Sequence, residues 1–224
     1  MKKEANKLLR SFIKAIKLEE EKVTEQFVRE ICSTLLTSPQ APSRHSSEEH
    51  ESSLRIQFPL FEQLILGELE KCYLTNDAEG IRWIAQLNQF FISRTSMTSE
   101  FLRSINVAFS VPLIDQQFFL RKSLGLEHSP ITLELIINDL ARTLTFATHH
   151  LSEGILLSSD QFHKLCEELK YYVGQSGSAP DWRDYLNYIQ EISTAWKSYE
   201  KEREGELSFQ EYCLQNGVLE DILQ

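Results

Sequence analysis

Apolar residues recur at helical spacing along most of this chain, and most densely between Ile56 and Phe91. Phe58, Leu60, Phe61, Leu64, Ile65, Leu66, Leu69, Cys72 and Tyr73 predict one helix. Ile81, Trp83, Ile84, Leu87, Phe90 and Phe91 predict a second. Thr75-Asn76-Asp77 separates them, and Pro59 falls in a first turn, where its missing N–H is harmless. Asn76 with Glu79 reads as a capping box: a side-chain acceptor for the new helix's free N–H groups and a carboxylate reaching back. So short a connection forces antiparallel neighbours. The second helix is apolar on more than one stripe, which predicts packing on several sides. Phe61, Leu64, Ile84 and Leu87 are its expected core.

Residues 2–36 also read as helix. Leu8, Leu9, Phe12, Ile13 and Ile16 form one face, and Val23, Phe27, Ile31 and Leu35 form a later one. The charged run Lys17–Lys22 interrupts the pattern, so one long helix or two with a break near residue 20 both fit. Lys3, Lys7, Arg10, Lys14 and Lys17 fall within an arc of roughly 80° opposite the first apolar face, which makes a basic amphipathic helix. Such a face suits an anionic membrane surface or an acidic partner; equally it suits water or the chain's own acidic body. Its apolar side is short and lacks Trp, which counts against the membrane. Residues 38–53 contain one apolar residue besides their prolines, Ala41, and predict a flexible linker.

Beyond the hairpin, a loop is expected over Ser93–Thr98, then a helix with Phe101, Leu102, Ile105, Ala108 and Phe109, bounded by Pro112. The next carries Leu113, Ile114, Phe118, Phe119 and Leu120, with Gly125 as a left-handed stop and Leu126 folding back. Ser129-Pro130 starts a helix with Leu133, Ile136, Ile137, Leu140, Leu144, Ala147 and Leu151, broken by Gly154. After the connector Ile155-Leu156-Leu157, Ser158 and Gln161 cap a helix with Phe162, Leu165, Cys166, Leu169 and Tyr172. A loop over Gly174–Ala179 precedes a long helix opened by Pro180, with Trp182, Tyr185, Leu186, Ile189, Ile192, Trp196 and Tyr199. Ser208 and Glu211 cap a last helix with Phe209, Tyr212, Cys213 and Leu214, ended by Asn216-Gly217; Val218–Leu223 is a short apolar tail expected to dock.

The expected fold is all-α: about eight or nine helices in an irregular bundle or a stack of antiparallel helical hairpins. Its expected organisation is an N-terminal basic arm over 1–37, a linker over 38–53 and a helical domain over 54–224. Glu79-x-Ile81-Arg82-x-Ile84 resembles Glu100-x-Leu102-Arg103-x-Ile105, which is too little to establish a repeat.

Composition narrows the partners. A net charge of −10 argues against phosphate-driven nucleic-acid binding and admits a basic protein partner. No run of apolar residues is long enough to span a membrane, and no signal peptide is visible. Cys32, Cys72, Cys166 and Cys213 show no paired spacing and read as small buried hydrophobes in a reducing compartment, so a cytoplasmic protein is expected.

Catalytic signatures are missing. Gly174-Gln175-Ser176-Gly177 fails the nucleophile pattern at position 178, and no phosphate-binding glycine loop or H-E-x-x-H occurs. His45, Glu49 and His50 match no metal spacing. His149 with Glu153 and His163 with Glu167 stand four residues apart, so each pair would share a helix face, with His150 alongside. They are the candidate metal ligands of an alternative reading, a metal-binding bundle or enzyme. Arg82 is expected to pair with a carboxylate or line a groove, and Trp182 and Trp196 to pack in the core. The leading expectation is a protein without enzyme activity, catalytic residues or cofactor, working by protein–protein contact. It would be immunity- or antitoxin-like, with an acidic face masking a basic partner, or an adaptor. Self-association through the mobile N-terminal helix is a further expectation.

Overall fold

The computed structural model describes residues 2–36, 56–91, 95–105, 115–151, 153–202 and 207–218. The fold is all-α, with ten helices and no strand among the described residues. The expected linker lies wholly outside them, as do Ala108, Phe109, Pro112, Leu113, Ile114 and the tail after Val218. Contacts divide the chain into two compact units, residues 1–132 and 133–224. This differs from a separate arm and one domain over 54–224, because the N-terminal helices pack within the first unit.

The first unit opens with α1 (Lys2–Ile16) and α2 (Glu21–Leu35). The charged run breaks them into two helices, and the Thr24 hydroxyl donates to the Ile16 carbonyl across the turn (3.1 Å). α3 is built from Phe58–Leu60, a π-helical turn Phe61–Ile65 and Leu66–Leu74 in unbroken succession. α4 spans Ala78–Gln86 and continues as a 3₁₀ turn, Asn88–Phe91. Every residue from Gly80 to Ala85 is buried, as apolar positions on several faces require, and α4 packs on α3 and α6. Phe61, Leu64, Ile84 and Leu87 are all buried. Phe61 stacks on Phe90 (4.7 Å between centroids) and meets Phe91 edge-on.

The hairpin turn differs from the expected cap. Asn76 sits at φ 55 and closes α3 in a Schellman arrangement: Asp77 N–H donates to the Cys72 carbonyl (2.8 Å) and Asn76 N–H to that of Tyr73 (3.3 Å). Asp77 is the N-cap of α4, accepting from Glu79 N–H (3.1 Å) and Gly80 N–H (3.3 Å). Asn tolerates the left-handed conformation and Asp does not need it, so the cap moves one residue on. Gly80 is needed for a close approach: a Cβ there would stand 2.3 Å from Cys72 Cβ.

α5 (Ser96–Ser104) begins inside the expected loop, capped by Thr95. α6 (Gln116–Leu126) is capped by Asp115 and runs through Gly125, which is not left-handed; Leu126 is exposed rather than folded back.

α7 (Pro130–Ala147) leads into the second unit, which continues with α8 (Ser159–Ser176), α9 (Ala179–Glu202) and α10 (Phe209–Gln215). Both expected capping boxes form, at Ser158/Gln161 and Ser208/Glu211. α8 runs past Gly174 and stops at Gly177, φ 72, so most of the expected loop is helix. Gly154 stands at φ 136 with Trp196 3.1 Å from where a Cβ would be, so it suits only glycine. Trp196 donates to the Leu157 carbonyl (3.0 Å) and packs with Tyr199 and Phe209. Trp182, expected in the core, is half-buried beside Tyr185, whose hydroxyl donates to the Ala141 carbonyl (2.9 Å).

Candidate functional site

The densest polar cluster in the first unit joins α2 to the α3–α4 hairpin. Helical spacing carries Val28 and Cys32 to the buried side of α2, and Arg29 beside them reaches three carboxylates. Its guanidinium lies 2.8 Å from Asp77, 3.4 Å from Glu68 and 3.3 Å from Glu25. It also lies 3.5 Å from Cys72 Sγ. Lys71 bonds Glu21 and lies 3.9 Å from Glu68. The Gln86 amide donates to the Leu36 carbonyl (2.8 Å) at the far end of α2. A narrow apolar seam is thus fixed by ion pairs that specify orientation.

The carboxylates titrate in opposite directions. Burial and the charge of Glu25 push Glu68, only 5% exposed, above the usual carboxylate range against the pull of Arg29 and Lys71. Burial would also raise Asp77, but the Arg29 hydrogen bond and Gly80 N–H outweigh it and hold its pKa below the ordinary value. Burial, then the charge of Asp77, pushes the Cys72 thiol up to about 12, and burial does the same to Cys32. Both are inert thiols at neutral pH, so the cluster has no nucleophile. Beside it lies an open groove of about 300 Å³ lined by Lys22, Glu25, Gln26, Arg29, Glu30, Ser33, Glu79 and Trp83.

Among the described residues, the α1–α2 pair also exposes an apolar strip. On α1 the seam against the body runs through Leu9, Ile13 and Ile16, with Ile13 fully buried, and α1 packs on the first turn of α3. Leu8 is 71% exposed and Phe12 42%. They point roughly 90° to one side of the seam, and Lys7, Arg10 and Lys14, all exposed, point roughly 120° to the other. Phe12 meets Phe27 of α2 edge-on at 5.3 Å, and Val23, 45% exposed, continues the strip. Leu18 in the turn is 88% exposed. The amphipathic face expected from sequence is therefore only partly used internally.

The candidate metal ligands are not gathered. α7 ends at Ala147, so His149 and Glu153 lie in the following turn rather than on a helix face. His149 meets His150 edge-on at 4.7 Å. His163 and Glu167 do share α8, but His163 Nδ1 lies 3.3 Å from Ser193 Oγ and Glu167 is exposed. Among the described residues no group of three His, Cys, Asp or Glu side chains could hold a metal. Arg82 is buried and pairs with Glu79 (2.9 Å); Arg142 is exposed. All four cysteines are free and buried.

Sequence reasoning missed the Arg29 cluster. A signal existed: Arg29 sits between apolar positions of α2, and Glu68 stands four residues before Cys72 on the apolar face of α3. No helix among the described residues is long and apolar enough to cross a membrane. No family model, curated protein or solved structure matches this chain.

Proposed function

We propose that this chain is a cytoplasmic, non-enzymatic protein that works by protein–protein contact, with the outer face of the α1–α2 pair as its binding surface. The observation that carries this reading is the uncovered strip of Leu8, Phe12 and Val23 on a helix pair whose inner side is pinned by Arg29. Exposed apolar side chains on adjacent helices form a groove that suits another helix. Acidic residues stand beside the strip, Glu4 on α1 and Glu30 on α2, both exposed. Of the two versions expected from sequence, the adaptor is favoured over an acidic mask for a basic partner. Buried, high-pKa thiols agree with a reducing compartment.

A photo-crosslinking amino acid at position 8, introduced into the full chain in its native cell, tests the reading. One discrete protein adduct from position 8, and none from position 126 on α6, which is also exposed, is the expected result. No adduct at position 8, or the same adduct from both positions, overturns it.

A further inference from the structure

We propose that the cleft between α8 and α9 is a binding site for a small amphiphilic anion, a carboxylate or phosphate head on a short apolar chain. α8 and α9 are packed neighbours joined by the turn at Gly177-Ser178, which makes them antiparallel. The cleft between them has a volume of about 330 Å³. Its apolar wall is made of Cys166 and Ile189, both buried, and Leu186, half-buried. Lys170 on α8 and Arg183 on α9 also line it, and both are exposed.

Helix geometry sets the two cations side by side. Cys166 Sγ lies 3.9 Å from the Ile189 carbonyl, which fixes the register of the two helices. His163 Nδ1 and Ser193 Oγ, 3.3 Å apart, repeat it one turn farther from the connection. Lys170 stands one turn nearer the connection than Cys166, and Arg183 somewhat less than two turns nearer than Ile189. At 1.5 Å per residue they differ by about 3 Å in height. Neither cation forms an ion pair among the described residues, and no carboxylate lines the cleft. Asp184 and Asp181 point roughly 100° and 160° away from Arg183 round α9, and Glu167 points roughly 100° away from Cys166 round α8. In a chain of net charge −10, positive charge thus converges here without local neutralisation.

The form of the ligand follows from the lining. An exposed Lys and Arg at one level can hold an anionic head between them, the guanidinium through two parallel N–H bonds. The apolar wall takes a hydrocarbon chain. The volume stands at the lower end for small-molecule pockets, so the chain is short. No aromatic ring lines the cleft, so a nucleotide base has nothing to stack on. The site lies within the second unit and owes nothing to the strip on α1 and α2.

Titration of the full chain at low salt, followed by NMR of its leucine and isoleucine methyl groups, tests this. Octanoate and octyl phosphate are the probes, with octanol and inorganic phosphate as controls. At least one octyl anion is expected to bind with a dissociation constant of about 1 mM or below, moving the methyl signals of Leu186 and Ile189. Octanol, without the charge, and inorganic phosphate, without the chain, should bind at least about tenfold more weakly. Lys170→Gln and Arg183→Gln, both at exposed positions, should each weaken the octyl anion about tenfold, while Lys170→Arg keeps it. Binding of octanoate alone, octyl phosphate alone or both assigns the head as a carboxylate, a phosphate or either. The proposal is overturned if neither anion saturates below about 10 mM, if octanol binds as tightly as the anions, or if the Gln variants bind like the wild type.

Discussion

Replacing Arg29 with Met removes the guanidinium shared by Asp77 and Glu68 and keeps most of the aliphatic stem. Deleting one partner of a buried ion pair costs about 3–5 kcal/mol, much of it from the charge left behind. Arg29 is 37% exposed, so solvent takes up part of that loss, and about 2 kcal/mol is the working figure. With two compact units, a single global unfolding transition does not isolate this contact. Amide hydrogen exchange does, because local opening of α2 is read against α9 in the same molecule. Opening across α2 should become about thirtyfold more frequent in the variant, with α9 unchanged. Adding Glu68→Gln to Arg29→Met should recover roughly half of the loss, since the abandoned carboxylate is then neutral. Exchange in α2 within about threefold of wild type would refute the idea that this cluster holds α2 in place.

Three further outcomes follow from the same contacts. Because the folded pKa of Glu68 lies above its ordinary 4.5, its ionisation opposes docking, and α2 protection should grow as pH falls from the raised value toward 4.5. Asp77 acts oppositely: its contribution is present above its ordinary 3.8 and is lost as pH falls through its depressed folded value. Exchange corrected for intrinsic rates should therefore show greatest protection in the mildly acid range, and Glu68→Gln should flatten the limb above 4.5. Gly80→Ala puts a Cβ 2.3 Å from Cys72 Cβ and should cost about 1–3 kcal/mol in α4 exchange; adding Cys72→Gly should recover part of it, and full tolerance of the single variant would contradict the packing. Asn76→Val should cost about 1–2 kcal/mol at its positive φ while Asn76→Gly is nearly neutral; equal losses for both would restore Asn76 as the helix cap.

How much of this was legible in the sequence follows from the range of each interaction. The boxes at Ser158/Gln161 and Ser208/Glu211 were readable because donor and acceptor lie three residues apart. Burial of Phe61, Leu64, Ile84 and Leu87 followed from helical period alone. Asn76 and Asp77 were confused because one residue closes α3 and the next opens α4, and both sites favour the same small polar side chains. Gly125 and Gly174 are tolerated inside helices, so a glycine alone does not fix a stop. The pairing of Arg29 with Asp77 and Glu68 was not legible, since it joins residues distant in sequence that only the docking of α2 brings together. Likewise the spacing of His149 and Glu153 means nothing once α7 stops at Ala147. The exposed side of α1 was hidden for a related reason. Periodicity shows which residues are apolar, and only packing shows that Ile13 is covered while Leu8 is not.

The central claim is that the exposed strip on α1 and α2 is a protein-binding surface. Hydrogen exchange of the full chain, alone and with the protein that crosslinks at position 8, read segment by segment, tests it most directly. The account predicts added protection across α1, the turn at Leu18 and the first half of α2, with none in α8 or α9. Exchange that the crosslinked protein leaves unchanged, or protection gained on α8 and α9 instead, would contradict it.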